Sequence, residues 1–207
     1  MEYVALIGSV TLIHLLAVIS PGPDFIVAVK NSLTYSRKTG IFTAVGFGLG
    51  ISVHILYCVL GLAILISKSI LVFNIIKLLG AGYLVYLGWS ALTSKSSDIK
   101  IENEEQKKDI SAPMAIKIGF LTNVLNPKAT LFFLSLFTLV ISPSTPAGIL
   151  LVLSVIMIVN TALWFSLVAI FFTQKKAVSV FNKFQGPFNK ILGGLLIALG
   201  VKIALIK

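Results

Sequence analysis

The sequence predicts an all-α integral membrane protein with six transmembrane helices. Hydrophobic residues make up 57% of the 207 residues and charged residues only 12%, and the mean hydropathy is +1.02. Water-soluble globular chains are about 45–50% apolar and about 25% charged, so this composition excludes a soluble domain. Six segments reach the length of about 20 mostly apolar residues that a bilayer-crossing helix needs. They cover residues 3–29, 41–66, 70–92, 117–141, 148–172 and 190–206.

The charged residues indicate an orientation in the membrane. Most of the 17 lysines and arginines lie in the loops after the first, third and fifth segments, and the net charge is +10. Because cytoplasmic loops are enriched in Lys and Arg, we expect a multi-pass protein of the cytoplasmic (inner) membrane with both termini outside. The positive charge forms no basic helix and has no stacking aromatics within it, so no nucleic-acid partner is expected.

The sequence does not predict a signal peptide, a disulfide, ATP-driven transport or enzyme activity. The N-terminus reads Met-Glu-Tyr, without the positive charge that begins a cleavable signal peptide. The single cysteine, Cys58, excludes an internal disulfide. The sequence has no G-x-x-x-x-G-K-[ST] loop, so ATP is not the expected energy source. We expect neither enzyme activity nor a cofactor.

A charged segment divides the chain. It reads SKSSDIKIENEEQKKDI over residues 94–110 and holds most of the seven acidic residues. Mixed charge of this kind is typical of a solvated linker. The sequence therefore predicts a first three-helix repeat over residues 1–93, a cytoplasmic linker over 94–112 and a second three-helix repeat over 113–207. A flexible tether explains the linker, and a regulatory role is left open.

Two of the apolar segments are interrupted at matching places. The first is broken at Ser20-Pro21 and the fourth at Asn126-Pro127. Ser and Asn are preferred helix N-caps, and Pro is favoured at the first helical position. Each dipeptide therefore predicts the start of a second half-helix within one span.

The third and sixth segments also resemble each other. FNIIKLLGAGYLVYLG begins at residue 73, and FNKILGGLLIALG begins at residue 188. Because each half has an odd number of spans, the second half must run in the opposite direction through the membrane. A 3+3 inverted repeat with interrupted helices indicates a secondary transporter.

One acid and one base follow the two breaks. Asp24 comes just after the first break and Lys128 just after the second. Ionisable residues at membrane depth usually face the protein interior, pair with one another and mark a functional site. We expect Asp24 to receive the ammonium group of a zwitterionic substrate, and Lys128 with the N–H groups after Asn126 to receive its carboxylate. A permanent structural ion pair is the alternative, and Asp24 is the candidate to exchange protons.

Other polar residues within the apolar segments carry weaker signals. They are His14, His54, Cys58, Asn123, Asn160 and Thr161. The histidines and the cysteine are too scattered to predict a metal site, and hydrogen bonding between helices is their more usual role. Asn123, Asn160 and Thr161 either line a path or bond across helices. Gly46 and Gly50 form a G-x-x-x-G pair, which indicates close helix packing and permits a homodimer.

Four motifs together resemble the LysE/RhtB family of amino-acid efflux permeases. They are SPGPDF at residues 20–25, GIFTAVGFGLG at 40–50, KLLGAGYLVYLGWSAL at 77–92 and GFLTNVLNPKATLFF at 119–133. The resemblance implies export of amino acids or related metabolites in exchange for protons. It also implies that the residues of two of these motifs belong to the substrate-binding or coupling site: Ser20, Pro21, Gly22, Pro23, Asp24, Asn126, Pro127 and Lys128. Members of the family often have Asn where this chain has Asp24.

Two other functions remain open from the sequence. One is a cation or heavy-metal efflux permease, and the other is a non-transporting membrane partner protein. Once Asp24 binds the substrate's ammonium group, no charged residue is left within the spans to recognise a basic side chain. The sequence therefore favours a neutral amino acid as the substrate.

Overall fold

The described part of the protein is all-helical, as predicted. The computed structural model describes residues 2–68, 70–93, 108–142 and 144–205, and its elements within these ranges are all α-helices. Most of the predicted linker, residues 94–112, lies outside the described residues. In chain order the helices are α1 (Glu2–Ile19), α2 (Pro23–Thr34), α3 (Arg37–Lys68), α4 (Ile70–Thr93), α5 (Ala112–Val124), α6 (Pro127–Leu139), α7 (Ala147–Phe172) and α8 (Lys175–Leu205).

Helices α3 and α7 are the clearest candidates to cross a membrane. Arg37–Gly61 within α3 and the whole of α7 are long and apolar enough to do so. Helices α1 and α2 form one bent pair, with an angle of 58° between Tyr3–Ile19 and Pro23–Thr34. By length and composition, the described residues thus contain two candidate spans, or three if the bent pair is one span. The predicted number of six stays a prediction.

The first predicted break is present, but the second half-helix begins two residues later than predicted. Helix α2 begins at Pro23, and its N-cap is Gly22, whose backbone is extended (φ −166°, ψ −169°). The prediction of Ser20 as the N-cap is wrong, since its N–H donates to the carbonyl of Leu16 at the end of α1, at 3.2 Å. A residue that precedes a proline is disfavoured in the helical conformation. Pro21 and Pro23 in succession therefore keep the chain out of a helix until the second proline.

The second break follows the prediction. Helix α5 ends at Val124 and α6 begins at Pro127. Asn126 is the N-cap, and its side-chain oxygen accepts a hydrogen bond from the backbone N–H of Lys128 at 2.9 Å. Proline suits the first helical position because an N–H there would have no partner within the helix. Both second half-helices thus begin with a cap, a proline and then a charged residue.

Helix α3 lies at the centre of the packing. It packs against both α5 and α7, while α4 packs against α8 and α6. One buried cluster joins α2, α3 and α7 around Phe25, Phe47 and Phe165. A second cluster joins α1, α3, α6 and α7 around Phe133 and Met157. The two clusters therefore hold α1, α2 and α6 against α3 and α7, while α5 packs on α3.

Glycines let the backbones of α3 and α5 touch. A methyl group at Gly46 would overlap the carbonyl oxygen of Ile116, and one at Gly119 would overlap the backbone of α3. A methyl group at Gly50 would crowd the side chain of Asn123. The predicted packing role of Gly46 and Gly50 is confirmed. Because α5 covers this face of α3, the same face is not available to a second copy of the chain.

We expect Gly46→Ala to destabilise the protein, because α3 and α5 must separate to admit the methyl group. Overpacking of this kind costs about 1–3 kcal/mol. Thermal unfolding of the purified protein in detergent measures the effect. Gly82→Ala on α4 is the matched control, because nothing lies within 4 Å of the position that its methyl group would take. Equal melting temperatures for the two variants would contradict the close contact.

Candidate functional site

The two helix breaks face one pocket. The empty space within it and at its open mouth is about 440 Å³. Three of the predicted site residues, Pro21, Pro23 and Pro127, shape the breaks without lining the pocket. The other six line it: Ser20, Gly22, Asp24, Asn123, Asn126 and Lys128.

The acid of the first break is held by the second break. Asp24 is buried in the first turn of α2, where the helix dipole favours a negative charge. Its Oδ1 accepts a hydrogen bond from Nδ2 of Asn126 at 3.0 Å. Its Oδ2 accepts one from Nδ2 of Asn123 at 2.7 Å. The carboxylate therefore bridges the end of α5 and the start of α6.

The base of the second break is held, in turn, by the first. Nζ of Lys128 donates to the carbonyl oxygen of Ser20 at 2.6 Å. That carbonyl follows the end of α1, where carbonyl groups lack partners within the helix. The lysine side chain passes over Gly22, where a methyl group would lie 3.1 Å from Cδ of Lys128. The glycine thus gives the lysine room to cross from one break to the other.

Asp24 and Lys128 meet in one pocket, as predicted, but each has its own partners. The carboxylate is bonded to two side-chain amides and the ammonium group to a backbone carbonyl. A direct ion pair between them is therefore not the arrangement in this structure. An acid and a base that line one pocket suit a small molecule with one ammonium and one carboxylate group.

Asn123 is positioned by a residue that sequence reasoning did not place in the site. The backbone oxygen of Asn123 lies 3.0 Å from Nε2 of His54 on α3. The other ring nitrogen of His54 lies 2.8 Å from the hydroxyl of Tyr57. The only signal in the sequence was a histidine inside an apolar segment. Since Asn123 binds Asp24, His54 supports the acid indirectly.

The rest of the pocket wall is mainly apolar, with two polar exceptions. Its apolar side chains are Ala17, Val18, Phe25, Ile51, Ala129, Phe132, Phe133 and Phe165. The exceptions are His14 on α1 and Thr161 on α7. Sequence reasoning named both residues only as weak candidates, because position within an apolar segment does not show which neighbour a side chain faces.

The remaining polar candidates lie elsewhere. Cys58 is buried in the cluster around Phe133, and neither it nor Asn160 lines the pocket. Within the described ranges, no group of three or more His, Cys, Asp or Glu side chains could hold a metal ion. Nitrogen atoms of His54 that would serve as metal ligands already face Tyr57 and Asn123.

Known proteins resemble this chain over most of its length. The chain matches the family described as "LysE type translocator" over residues 15–206. An uncharacterized membrane protein of Bacillus subtilis, YrhP, is 33% identical over 195 residues, which cover 91% of this chain and 93% of the relative. The threonine efflux proteins of Salmonella typhi and Escherichia coli K12 are 27% and 26% identical over 197 residues, covering 94% of this chain and 95% of each relative. No solved structure matches the chain.

These matches cover both halves of the chain. The family match includes the two helix breaks and every residue that we have placed in the pocket except His14. The family resemblance carried by the four sequence motifs is thereby confirmed. The chain belongs to the LysE-type translocator family.

Proposed function

We propose that this protein is a secondary-active exporter of amino acids or related small zwitterionic metabolites. The observation that carries the proposal is that Asp24 and Lys128, from two interrupted helices, line one pocket. Interrupted helices that meet at a central site are typical of secondary transporters. The threonine efflux proteins among the relatives support an amino acid as the substrate.

The zwitterion is bound by exchange of hydrogen-bond partners. Asp24 receives the α-ammonium group of the substrate in place of an amide donor. Lys128 leaves the carbonyl oxygen of Ser20 and receives the α-carboxylate. Each charged group of the site has a partner within the protein, so the substrate replaces existing bonds and does not meet bare charges.

The proposed architecture is six spans in a 3+3 inverted repeat, with α1 and α2 as one span and α5 and α6 as another. The matching starts of α2 and α6 support it: Gly22-Pro23-Asp24 corresponds to Asn126-Pro127-Lys128. In this alignment the acid and the base occupy equivalent positions in the two halves.

Contacts between α4 and α8 also support the repeat. A methyl group at Gly88 would lie 2.6 Å from the carbonyl oxygen of Gly193, and one at Gly193 would lie 2.5 Å from the carbonyl oxygen of Gly88. Further along, Gly200 approaches the carbonyl of Ala81. In the alignment of the third and sixth segments, Gly193 matches Gly80 and, with a shift of one residue, Gly200 matches Gly88. The Gly88–Gly193 and Gly200–Ala81 contacts therefore lie at nearly equivalent places, as expected where two similar elements pack about a two-fold axis.

Proton antiport is the proposed energy source, with Asp24 as the proton carrier. Export then couples outward movement of the substrate to inward movement of a proton. A neutral amino acid is favoured as the substrate because Asp24 and Lys128 are both used by the α-groups. The site residues Ser20, Gly22, Asn123 and Asn126 stay assigned to substrate binding or coupling.

The rival functions are less well supported by the pocket. A bare cation would meet the ammonium group of Lys128 beside the single carboxylate of Asp24, which disfavours a cation or heavy-metal permease. A non-transporting membrane partner has no evident need for a polar pocket between two helix breaks. A homodimer stays a prediction that needs a face other than the one formed by Gly46 and Gly50.

The proposed location is the cytoplasmic membrane, with both termini outside. In a Cys58→Ala background, we expect a cysteine at Ser144, before α7, to react with a membrane-impermeant reagent in intact cells. A cysteine at Ser97 is expected to react only after the membrane is opened, because the positive loops are cytoplasmic. The opposite labelling pattern would show that the protein is inserted the other way round.

Asp24→Asn tests the coupling role of the acid. The variant removes the titratable proton but keeps the size of the side chain. Oδ1 of Asn123 has no partner, so after the amide group of Asn123 turns over, this oxygen can accept a hydrogen bond from the new amide at position 24. We expect proteoliposomes of this variant to lose accumulation driven by a pH gradient and to keep some substrate exchange at equilibrium. Accumulation that persists under an imposed pH gradient would place the coupling proton elsewhere.

The double variant Asp24→Asn with Lys128→Gln tests the function itself. If the two charges bind the substrate's α-groups, loss of both charge-assisted hydrogen bonds weakens binding by on the order of 100-fold or more, with an unchanged melting temperature. Radiolabelled amino-acid counterflow in proteoliposomes measures the loss against wild type. Lys117→Gln on α5, an exposed lysine outside the pocket, is the control. Wild-type flux in the double variant would make the pair a structural lock instead.

A further inference from the structure

The pocket has a second polar part, separate from the two helix breaks. His14 on α1 and Thr161 on α7 both line it, among apolar neighbours such as Ile51 and Phe132. Neither residue belongs to a break, and neither is needed to bind the α-groups of a zwitterion. Their place in the wall therefore needs another explanation.

Both side chains are buried without a hydrogen-bond partner. His14 is 0% exposed and Thr161 is 1% exposed. Both ring nitrogens of His14 and the hydroxyl oxygen of Thr161 are unpaired. Nearly all buried polar groups in native proteins are paired, and an unpaired one lowers stability.

Thr43 and His54 are buried to a similar degree and are paired. The hydroxyl of Thr43 donates to the carbonyl oxygen of Thr39, one helical turn earlier, at 2.9 Å. Buried threonines in helices commonly bond in this way. His54 has a partner at each ring nitrogen, within 3.0 Å. Among the described residues, Thr11 is the other threonine with a buried, unpaired hydroxyl, but His14 and Thr161 differ from it because they line the pocket.

Aromatic packing holds the ring of His14 in the pocket wall. Its centroid lies 6.0 Å from that of Phe132 and 5.8 Å from that of Phe133. Both phenylalanines are themselves buried on α6, just after the second break. The ring of His14 is thus held in the wall of the same pocket as the proposed binding groups.

The chemistry of the two side chains defines what they can bind. A neutral imidazole offers one donor and one acceptor, and a hydroxyl offers both as well. A hydroxyl or a carboxamide can donate and accept in the same way, whereas an aliphatic group can do neither. A charged group would need a counter-charge, and the charges of Asp24 and Lys128 are used by the α-groups.

We propose that His14 and Thr161 form a side-chain subsite for a hydroxyl or carboxamide group on a short, neutral substrate side chain. The inference rests on the proposed function, in which the breaks bind the α-ammonium and α-carboxylate groups. The apolar residues of the wall surround the carbon atoms of that side chain. The two unpaired residues then set specificity, because an aliphatic substrate leaves them buried and unsatisfied.

Binding of L-threonine and L-valine to the purified protein in nanodiscs tests the subsite, because the two amino acids have nearly the same shape. We expect the wild type to prefer threonine by about fivefold to tenfold, the effect of one net hydrogen bond. Thr161→Val and His14→Phe should each reduce that preference to less than about threefold. Thr161→Ser keeps the hydroxyl and should keep the preference.

Two controls separate this loss from a change in folding. Thr161→Val removes an unpaired buried hydroxyl, so its melting temperature should be unchanged or higher. Thr11 also buries an unpaired hydroxyl but does not line the pocket, so Thr11→Val should bind both amino acids as the wild type does.

The binding results distinguish failure of the subsite from failure of the proposed function. If both amino acids bind the wild type equally, or if Thr161→Val and His14→Phe both keep the preference, the subsite is overturned while binding of the α-groups stands. If no neutral amino acid binds the wild type at all, the proposed function itself fails, and the subsite with it.

Discussion

The need to satisfy backbone groups at two helix breaks determines much of this structure. In a bilayer, an interrupted helix leaves N–H and C=O groups without water to bond, so the break must be buried against protein or a cavity. Here the side-chain oxygen of Asn126 caps its own half-helix, and Lys128 reaches the carbonyl of Ser20 in the other break. Because each break supplies partners for the other, the two must lie side by side. The pocket is the space that remains between them.

The scaffold around the breaks explains how the contacts are aligned. The glycines of α3 bring α5 into backbone contact, and His54 on the same helix lies 3.0 Å from the backbone oxygen of Asn123. Asn123 is thereby held where its amide can donate to Asp24. His54 and Asn123 thus connect the packing of α3 against α5 to the acid. Close helix packing and the polar site are parts of one arrangement.

The pocket combines satisfied and unsatisfied polar groups, and the two kinds suit different tasks. The charged residues at the breaks have partners that belong to the protein, so binding of a charged ligand exchanges one set of bonds for another. His14 and Thr161 have none, so a ligand that pairs with them gains bonds without breaking any within the protein. Under the proposed function, the first arrangement suits recognition of groups common to all amino acids, and the second suits discrimination between their side chains.

The sequence by itself predicted those features that depend on residue type and on neighbours close in the chain. Residue types and their spacing along the chain were enough to predict several features. These are the apolar segments, the positive loops, the places of both breaks, the cap at Asn126, and Asp24 and Lys128 as candidates to share a site. The start of α2 at Pro23 instead of Pro21 needed the structure, because two nearby prolines and a glycine allow more than one starting point.

The lateral contacts were decided only by the tertiary structure. Three features depend on how each helix is rotated and tilted against its neighbours. They are the hydrogen bonds that Asp24 and Lys128 make across the two breaks, the contact of His54 with Asn123, and the place of His14 and Thr161 in the wall of one pocket. In segments that are apolar on all sides, the sequence carries little signal of which face turns inward. Rotation is set by glycine contacts and by polar partners far apart in the chain, and those appear only once the helices are packed.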